Sequence, residues 1–337
     1  MGENLYEKLA VQTGVPPSER LQGLWKMLCD EEEARLVLAM PGTPQELVAK
    51  TGLPADRVET LLPGLFRKGV AFERVKEGTL KYNKPRDLLQ FHDATILWPE
   101  APPEFLLLWQ EFMENEYAEL SRMIADMDLA PVTRVIPVEQ AMEGGGSRVL
   151  PIDSAMEIVA AAQRLAVTNC TCRLTARKCS SPVEVCLQLG RAADYAIKRG
   201  TGREVSREEA REILRRAEEA GLVHVTDNRA SGEHIICNCC SCCCIVLPLI
   251  LRTRKRVLLA PSRFLPEVDF DRCTLCQVCV EACPVQSLAV AGENGSQRLE
   301  VNEGLCIGCG QCAYQCPEKA IALKEVRNPD FIPGAAA

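Results

Sequence analysis

The sequence predicts an α+β protein built in three parts, and three observations carry that prediction. Residues 1–85 show short runs of helical period that end in two alternating segments joined by a tight turn. Residues 133–262 mix capped helices with strand patterns and hold ten of the nineteen cysteines. Residues 263–326 contain the same cysteine-proline motif twice, as CTLCQVCVEACP and CIGCGQCAYQCP. A helical connector, 86–132, precedes the middle part, and a short tail, 327–337, follows the repeat. A chain of 337 residues suits two or three domains with their own cores.

Composition narrows the chemistry before any motif is read. Nineteen cysteines with a start as polar as MGENLYEKLAVQTGVPPSERLQ, which has no apolar leader core, point to a reduced cytoplasmic chain. The apolar run Ile245–Leu251 beside the cysteines is too short to cross a bilayer, so no membrane span is expected. Three histidines argue against zinc sites of mixed Cys/His type, and a net charge of −7 disfavours nucleic acid as main partner.

In the first part, TPQELVAKTG and LPADRVETLLPGLFRKG space their apolar residues as helices do. Thr43 is placed as a cap, with Pro44 in the first turn. VAFERVKEGTLKYN follows as two strands around the turn Lys76-Glu77-Gly78. Helix, turn, helix and a two-stranded wing together resemble the winged-helix domains, which implies DNA binding through the second helix. A docking or packing module is the plainer reading. Pro63-Gly64 is expected to interrupt that helix at a cost of about 3 kcal/mol. The nearby bases Arg57, Arg67, Lys68, Arg74, Lys76, Lys81 and Lys84 are interleaved with acids rather than forming a stripe.

Next, PPEFLLLWQEFMENEYAELSRMIADM is a helical stretch with Phe105, Leu108, Trp109, Phe112 and Met113 on or near one face, a pattern for packing. TRVIPVEQ is a short strand, and EGGGS a flexible turn without a phosphate-binding fingerprint. DSAMEIVAAAQRLAV is expected to be a helix capped by Asp153 that leads into Cys170, Cys172, Cys179 and Cys186. Ser181-Pro182-Val183-Glu184 has the form of a capping box, which puts Cys179 before a helix and Cys186 in its first turns. SREEAREILRRAEEAG runs from the cap Ser206 to Gly221 as a scaffold helix. ICNCCSCCCIV then packs Cys237, Cys239, Cys240, Cys242, Cys243 and Cys244 together. In an extended backbone Cys240, Cys242 and Cys244 face one way, and Cys237, Cys239 and Cys243 the other.

The tandem C-x2-C-x2-C-x3-C-P motif resembles the bacterial two-cluster ferredoxins over about 60 residues. The resemblance implies a ferredoxin-like βαβ repeat holding two [4Fe-4S] clusters. Cys273, Cys276 and Cys279 would share one cluster with Cys316, while Cys306, Cys309 and Cys312 share the other with Cys283. The copies differ at one place: Gly308 and Gly310 in the second stand where the first has Leu275 and Gln277. A wrap that needs positive φ would strain Gln277.

With that domain beside them, the middle cysteines are best read as iron–sulfur ligands. Disulfides fail on compartment, and adjacent cysteines cannot all pair locally. A zinc knot would use four thiolates and leave most of the ten unexplained. The expectation is one or two further clusters drawn from those ten residues, with Arg173, Arg177 and Lys178 beside them. CTCR with CNCCSCCC is also similar to cysteine-rich ferredoxin-type proteins of anaerobes. The function expected is a multi-cluster electron carrier that serves an oxidoreductase partner. Residues 263–326 carry nine acids against five bases, which suits a basic docking surface on that partner. No catalytic residue is assigned, because no dinucleotide fingerprint, carboxylate pair motif or Cys/His dyad is present. Two alternatives stand: a reductase with an open coordination position in the middle domain, and a redox-sensing DNA-binding regulator.

Overall fold

The computed structural model describes residues 4–127, 129–142, 148–293 and 296–334, so the triple-glycine turn at 143–147 lies outside the described residues. Contacts divide the chain into two compact units. The first is Met1–Ser121 with Leu174–Ala176 and Arg199–Thr201, and the second is the remainder from Arg122 onward.

In the first unit, helices Glu19–Leu28, Glu31–Ala39, Pro44–Thr51 and Ala55–Lys68 lead into a hairpin of β1 (Phe72–Lys76) and β2 (Thr79–Asn83). Thr43 and Glu46 form a reciprocal capping box at the start of Pro44–Thr51. The hairpin turns at Glu77 and Gly78, both with positive φ. Pro63 does not break its helix, contrary to expectation: Ala55–Lys68 runs straight through it. Val58, Leu61, Leu62, Leu65 and Phe66 are all buried on that helix. At about 1.5–3 kcal/mol for each buried side chain, they outweigh a proline cost of about 3 kcal/mol. The aromatic stripe of the connector lies in this core. Phe105, Trp109 and Phe112 are buried, and Phe91 stands between Trp109 and a stacked Trp25.

The second unit is organised by a seven-stranded sheet. Its strands are β3 (Thr133–Ile136), β4 (Leu165–Asn169), β5 (Glu184–Leu189), β6 (Gly202–Glu204), β7 (Val223–Asp227), β8 (Ile235–Cys239) and β9 (Leu259–Ala260). They lie in the order β6-β4-β5-β8-β7-β3-β9. Helices Ala155–Ala161 and Arg207–Glu219 cover one face, packing on Leu165, Val167, Val185, Leu187, Leu189 and Ile236. Side chains alternate along a strand, so Cys186 on β5 and Cys237 and Cys239 on β8 point to the opposite face.

Two expectations fail here. Ser181–Glu184 opens no helix; Glu184–Leu189 is a strand in which Val185, Leu187 and Leu189 fill the core every second residue. Period-two burial overrides a four-residue capping signature. Asp153 does not cap the next helix either. Ser154 does, accepting from the Glu157 N–H, while Asp153 binds the buried guanidinium of Arg263 through Nε at 3.1 Å and Nη2 at 2.9 Å.

Beyond the sheet, β10 (Phe264–Val268) pairs antiparallel with β13 (Ile321–Glu325), and β11 (Leu288–Ala291) with β12 (Arg298–Val301). Short helices Val278–Glu281 and Gln311–Tyr314 follow the two cysteine loops. Among the described residues, no helix is long and apolar enough to cross a membrane.

Candidate metal centres

The tandem motif folds into two loops of the same shape, each bending around a cavity. Cys273, Cys276, Cys279 and Cys316 line the first, with Leu275, Pro317 and Ile321. Cys283, Cys306, Cys309 and Cys312 line the second, with Pro284, Ile307 and Gly310. Matching positions adopt matching backbone. Leu275 and Gln277 have φ of 55° and 65°, and Gly308 and Gly310 have 65° and 81°. After each proline, Gln286 and Lys319 repeat the same left-handed step. Such turns aim successive N–H groups inward, where they meet sulfur. The Ser287 N–H donates to Cys283 Sγ at 3.2 Å and the Ala320 N–H to Cys316 Sγ at 3.4 Å.

The two cavities differ in what surrounds them. Cys276 is exposed and Cys273 half-buried, while Cys306, Cys309 and Cys312 are all buried. A Cβ on Gly308 would sit 2.2 Å from Ser262 Oγ, and one on Gly310 would sit 2.8 Å from Ala141 Cβ. The second loop therefore presses against the rest of the unit, and glycine is what allows it. In the first loop the exposed Gln277 and the half-buried Leu275 carry the strain of positive φ instead. Burial pushes the Cys309 and Cys312 thiols up, well above their ordinary range.

The ten middle cysteines separate into a group of six and a group of four. Six form a closed chain of side-chain hydrogen bonds: Cys170 to Cys172, then Cys244, Cys239, Cys237, Cys186 and back to Cys170. This ring lies on the face of the sheet opposite the helices, fed by β5, β8 and the turn after β4. Cys172 and Cys186 are pushed up by hydrogen bonds to neighbouring thiols and by burial, while Cys170 between them is pulled down. The other four, Cys179, Cys240, Cys242 and Cys243, place every sulfur within 4.8 Å of every other. The parity expected of an extended run fails at one point. β8 ends at Cys239 and the chain turns, so Cys244 joins Cys237 and Cys239 while Cys243 joins Cys240 and Cys242.

Arg173 stands between the two groups. It is 4% exposed, and its Nη1 donates to the Asn238 carbonyl at 3.0 Å and to Cys240 Sγ at 3.7 Å. Among the described residues, its Nε and Nη2 have no hydrogen-bond partner. Burial alone would lower its pKa, but the negative charge of Cys170, Cys240 and Cys186 turns the balance upward. Beneath β8, Asn238 is locked by His224 and by the Val185 carbonyl, and Glu218 holds His224 from the other side. That network fixes the strand from which Cys237 and Cys239 project. The sequence reading missed its members, since nothing marks a lone His or Asn as a support.

Residues 265–319 match the family described as the 4Fe-4S dicluster domain. The chain is similar over 72 residues, at 33% identity, to pyruvate synthase subunit PorD of Methanothermobacter marburgensis, covering 21% of this chain and 80% of that subunit. The chain belongs to the 4Fe-4S dicluster family. Its dicluster domain is also 41% identical over 54 residues to NADH-dependent phenylglyoxylate dehydrogenase subunit delta of Aromatoleum evansii, 16% of this chain and 54% of that one. It is 30% identical over 87 residues to NAD(P)H-quinone oxidoreductase subunit I of Gloeobacter violaceus, 23% of this chain and 42% of that one. The chain thus spans about half the length of these last two relatives. No solved structure gives a significant match.

The dicluster domain takes two [4Fe-4S] clusters, and its chemistry is one-electron transfer. Eight soft thiolates on two cavities, with N–H donors aimed at sulfur, fit that cargo. The family match begins at residue 265 and leaves the six-thiol ring and the four-thiol group, both N-terminal to it, unaccounted for.

Proposed function

We propose that the chain is an electron relay with a wet end and a dry end, passing low-potential electrons to or from an oxidoreductase partner. One observation carries the reading: a single apolar cluster holds Cys309 and Cys283 of the second cavity together with Cys244, Cys237 and Cys239 of the six-thiol ring. Electrons entering at the exposed Cys276 side would pass from the cluster of Cys273, Cys276, Cys279 and Cys316 to that of Cys283, Cys306, Cys309 and Cys312. The dry core then leads to a further iron–sulfur cluster in the ring. Phe270 and Val278, both exposed beside the first loop, give a partner apolar surface close to the entry point. The relatives named as oxidoreductase subunits support a partner of that class.

Spin-resonance spectra of the anaerobic, dithionite-reduced chain test this. Mutually coupled signals from more than two clusters are expected, and Cys237→Ser with Cys244→Ser should remove one and leave the dicluster pair. Spectra of two clusters only, unchanged by those substitutions, would refute it.

The six sulfurs of the ring exceed the four corners of a cubane, which supports a second reading, a reductase site with coordination to spare. A spectrum that shifts on adding an oxidised substrate would decide for it. For the winged-helix-like unit, we infer docking rather than DNA reading. Three bases of its second helix are engaged by acids: Arg57 by Glu32, Arg67 by Glu100 and Lys68 by Glu33. DNA binding with a steep salt dependence would overturn that inference.

A further inference from the structure

We propose that Cys179, Cys240, Cys242 and Cys243 bind a single tetrahedral divalent ion, Zn2+ or Fe2+, and no cluster. The argument begins with spacing. A metal–sulfur bond of about 2.3 Å places the corners of an ideal tetrahedron about 3.8 Å apart. Here Cys179 lies 3.7 Å from Cys243 and 3.9 Å from Cys240, and Cys242 lies 3.7 Å from Cys243. All four sulfurs fall within 4.8 Å of one another, and no other such group occurs among the described residues.

The dicluster domain supplies an internal standard for the alternative. A cubane holds its cysteine sulfurs outside a core of four irons, farther apart than one ion does. The sulfurs of the two dicluster cavities behave that way. Among the described residues, no three cysteine sulfurs of either dicluster cavity lie within 4.8 Å of one another. The same chain thus spaces one set of thiols for a cluster and closes another to the edge of a single-ion tetrahedron. In the six-thiol ring, as in the dicluster cavities, no three sulfurs lie within 4.8 Å of one another among the described residues, so the ring is not closed on a single ion.

A second observation points to negative charge at this site. Arg173 is buried, donates to Cys240, and among the described residues leaves Nε and Nη2 without partners. A buried guanidinium is costly unless an anion faces it. Four thiolates around a divalent ion leave a net charge of −2, which answers that cost. The Ser181 hydroxyl and N–H bond Cys179, and the Lys178 N–H bonds Cys243, so the loop holds both sulfurs in place. The ion would tie the segment after Ala176 to the turn that follows β8. This proposal does not depend on the relay.

The test is metal and acid-labile sulfide analysis of the anaerobic full-length chain, beside a Cys179→Ala/Cys242→Ala variant. Both substituted residues are exposed. Cubanes contribute iron and sulfide one to one, so the wild type should carry one metal ion in excess of that ratio. The variant should lose that one ion with no sulfide while its cluster spectra stay unchanged. If the ion is zinc, cobalt loaded in its place should give the intense visible bands of tetrahedral tetrathiolate. If it is iron, the oxidised protein should show an isolated high-spin ferric signal that the variant lacks. Loss of about four irons with four sulfides from the variant would overturn the proposal, as would an unchanged metal count. The wild-type excess decides the matter if the variant does not fold: a metal-to-sulfide ratio of one would refute a mononuclear site.

Discussion

Exchanging residues between the two cysteine loops should have opposite effects on the two cavities. Gly310 has a φ of 81°, and a Cβ there would lie 2.8 Å from Ala141 Cβ and 3.1 Å from Leu323 Cδ1. Gly310→Ala therefore meets two costs. A left-handed non-glycine residue costs about 1–2 kcal/mol, and overpacking a filled space about 1–3 kcal/mol, together about 2–5 kcal/mol. Gln277 stands at the matching position with a φ of 65° but is exposed. Gln277→Gly removes about 1–2 kcal/mol of strain and returns about 0.4–1 kcal/mol of unfolded-state freedom, leaving a gain of at most about 1.6 kcal/mol. Anaerobic denaturant titration, followed by the visible absorbance of the clusters, reads both. Gly310→Ala should bring bleaching to clearly lower denaturant, and Gln277→Gly should leave it level or slightly higher. Equal losses from the two substitutions would refute the claim that packing, rather than the loop itself, demands glycine.

Three further outcomes follow from contacts already described. Cys283 lies in the cavity of Cys306, Cys309 and Cys312, so Cys283→Ser should damage that buried cluster first; spectra that lose the exposed cluster alone would contradict it. Asp153→Ala leaves the Arg263 guanidinium, 1% exposed, without its two-oxygen partner, and should cost about 3–5 kcal/mol in a thermal melt. A loss below about 1 kcal/mol would mean that the remaining acceptors suffice. Arg173→Met removes a buried positive charge beside Cys170 and Cys240, and should lower the potential of a cluster in the ring by tens of millivolts, on the order of what one screened charge exerts. Redox titration checks it, and a potential that rises would show that the charge does not act there.

How much the sequence revealed depended on how tightly chemistry dictates spacing. The two dicluster loops were legible because a cubane needs ligands at short fixed intervals, and two copies of one interval are hard to mistake. The strain at Gln277 was legible for the same reason, since a loop of that form must turn left-handed at its second gap. The division of the middle cysteines was not. It depends on where β8 stops, and Ser241 after Cys240 does not announce that the strand has already ended at Cys239. Ser181–Glu184 misled because a capping signature is local, while the alternation of Val185, Leu187 and Leu189 is read only against a core. Pro63 misled by the same route: its cost is intrinsic and visible, but the burial that outweighs it belongs to the folded unit.

The unequal burial of the two dicluster loops has a consequence for life in air. Oxygen and peroxide attack clusters through solvent, and among the dicluster cysteines Cys276 is the exposed one. In the proposed relay, the first casualty of exposure is then the outermost cluster, whose loss would leave the buried ones intact but out of reach of any carrier outside. On that reading, a damaged chain would stop exchanging electrons before it lost its interior iron. It does not become an open conduit that spills electrons onto oxygen. The outward loop acts as a fuse, and the apolar wall behind it keeps the failure to one site.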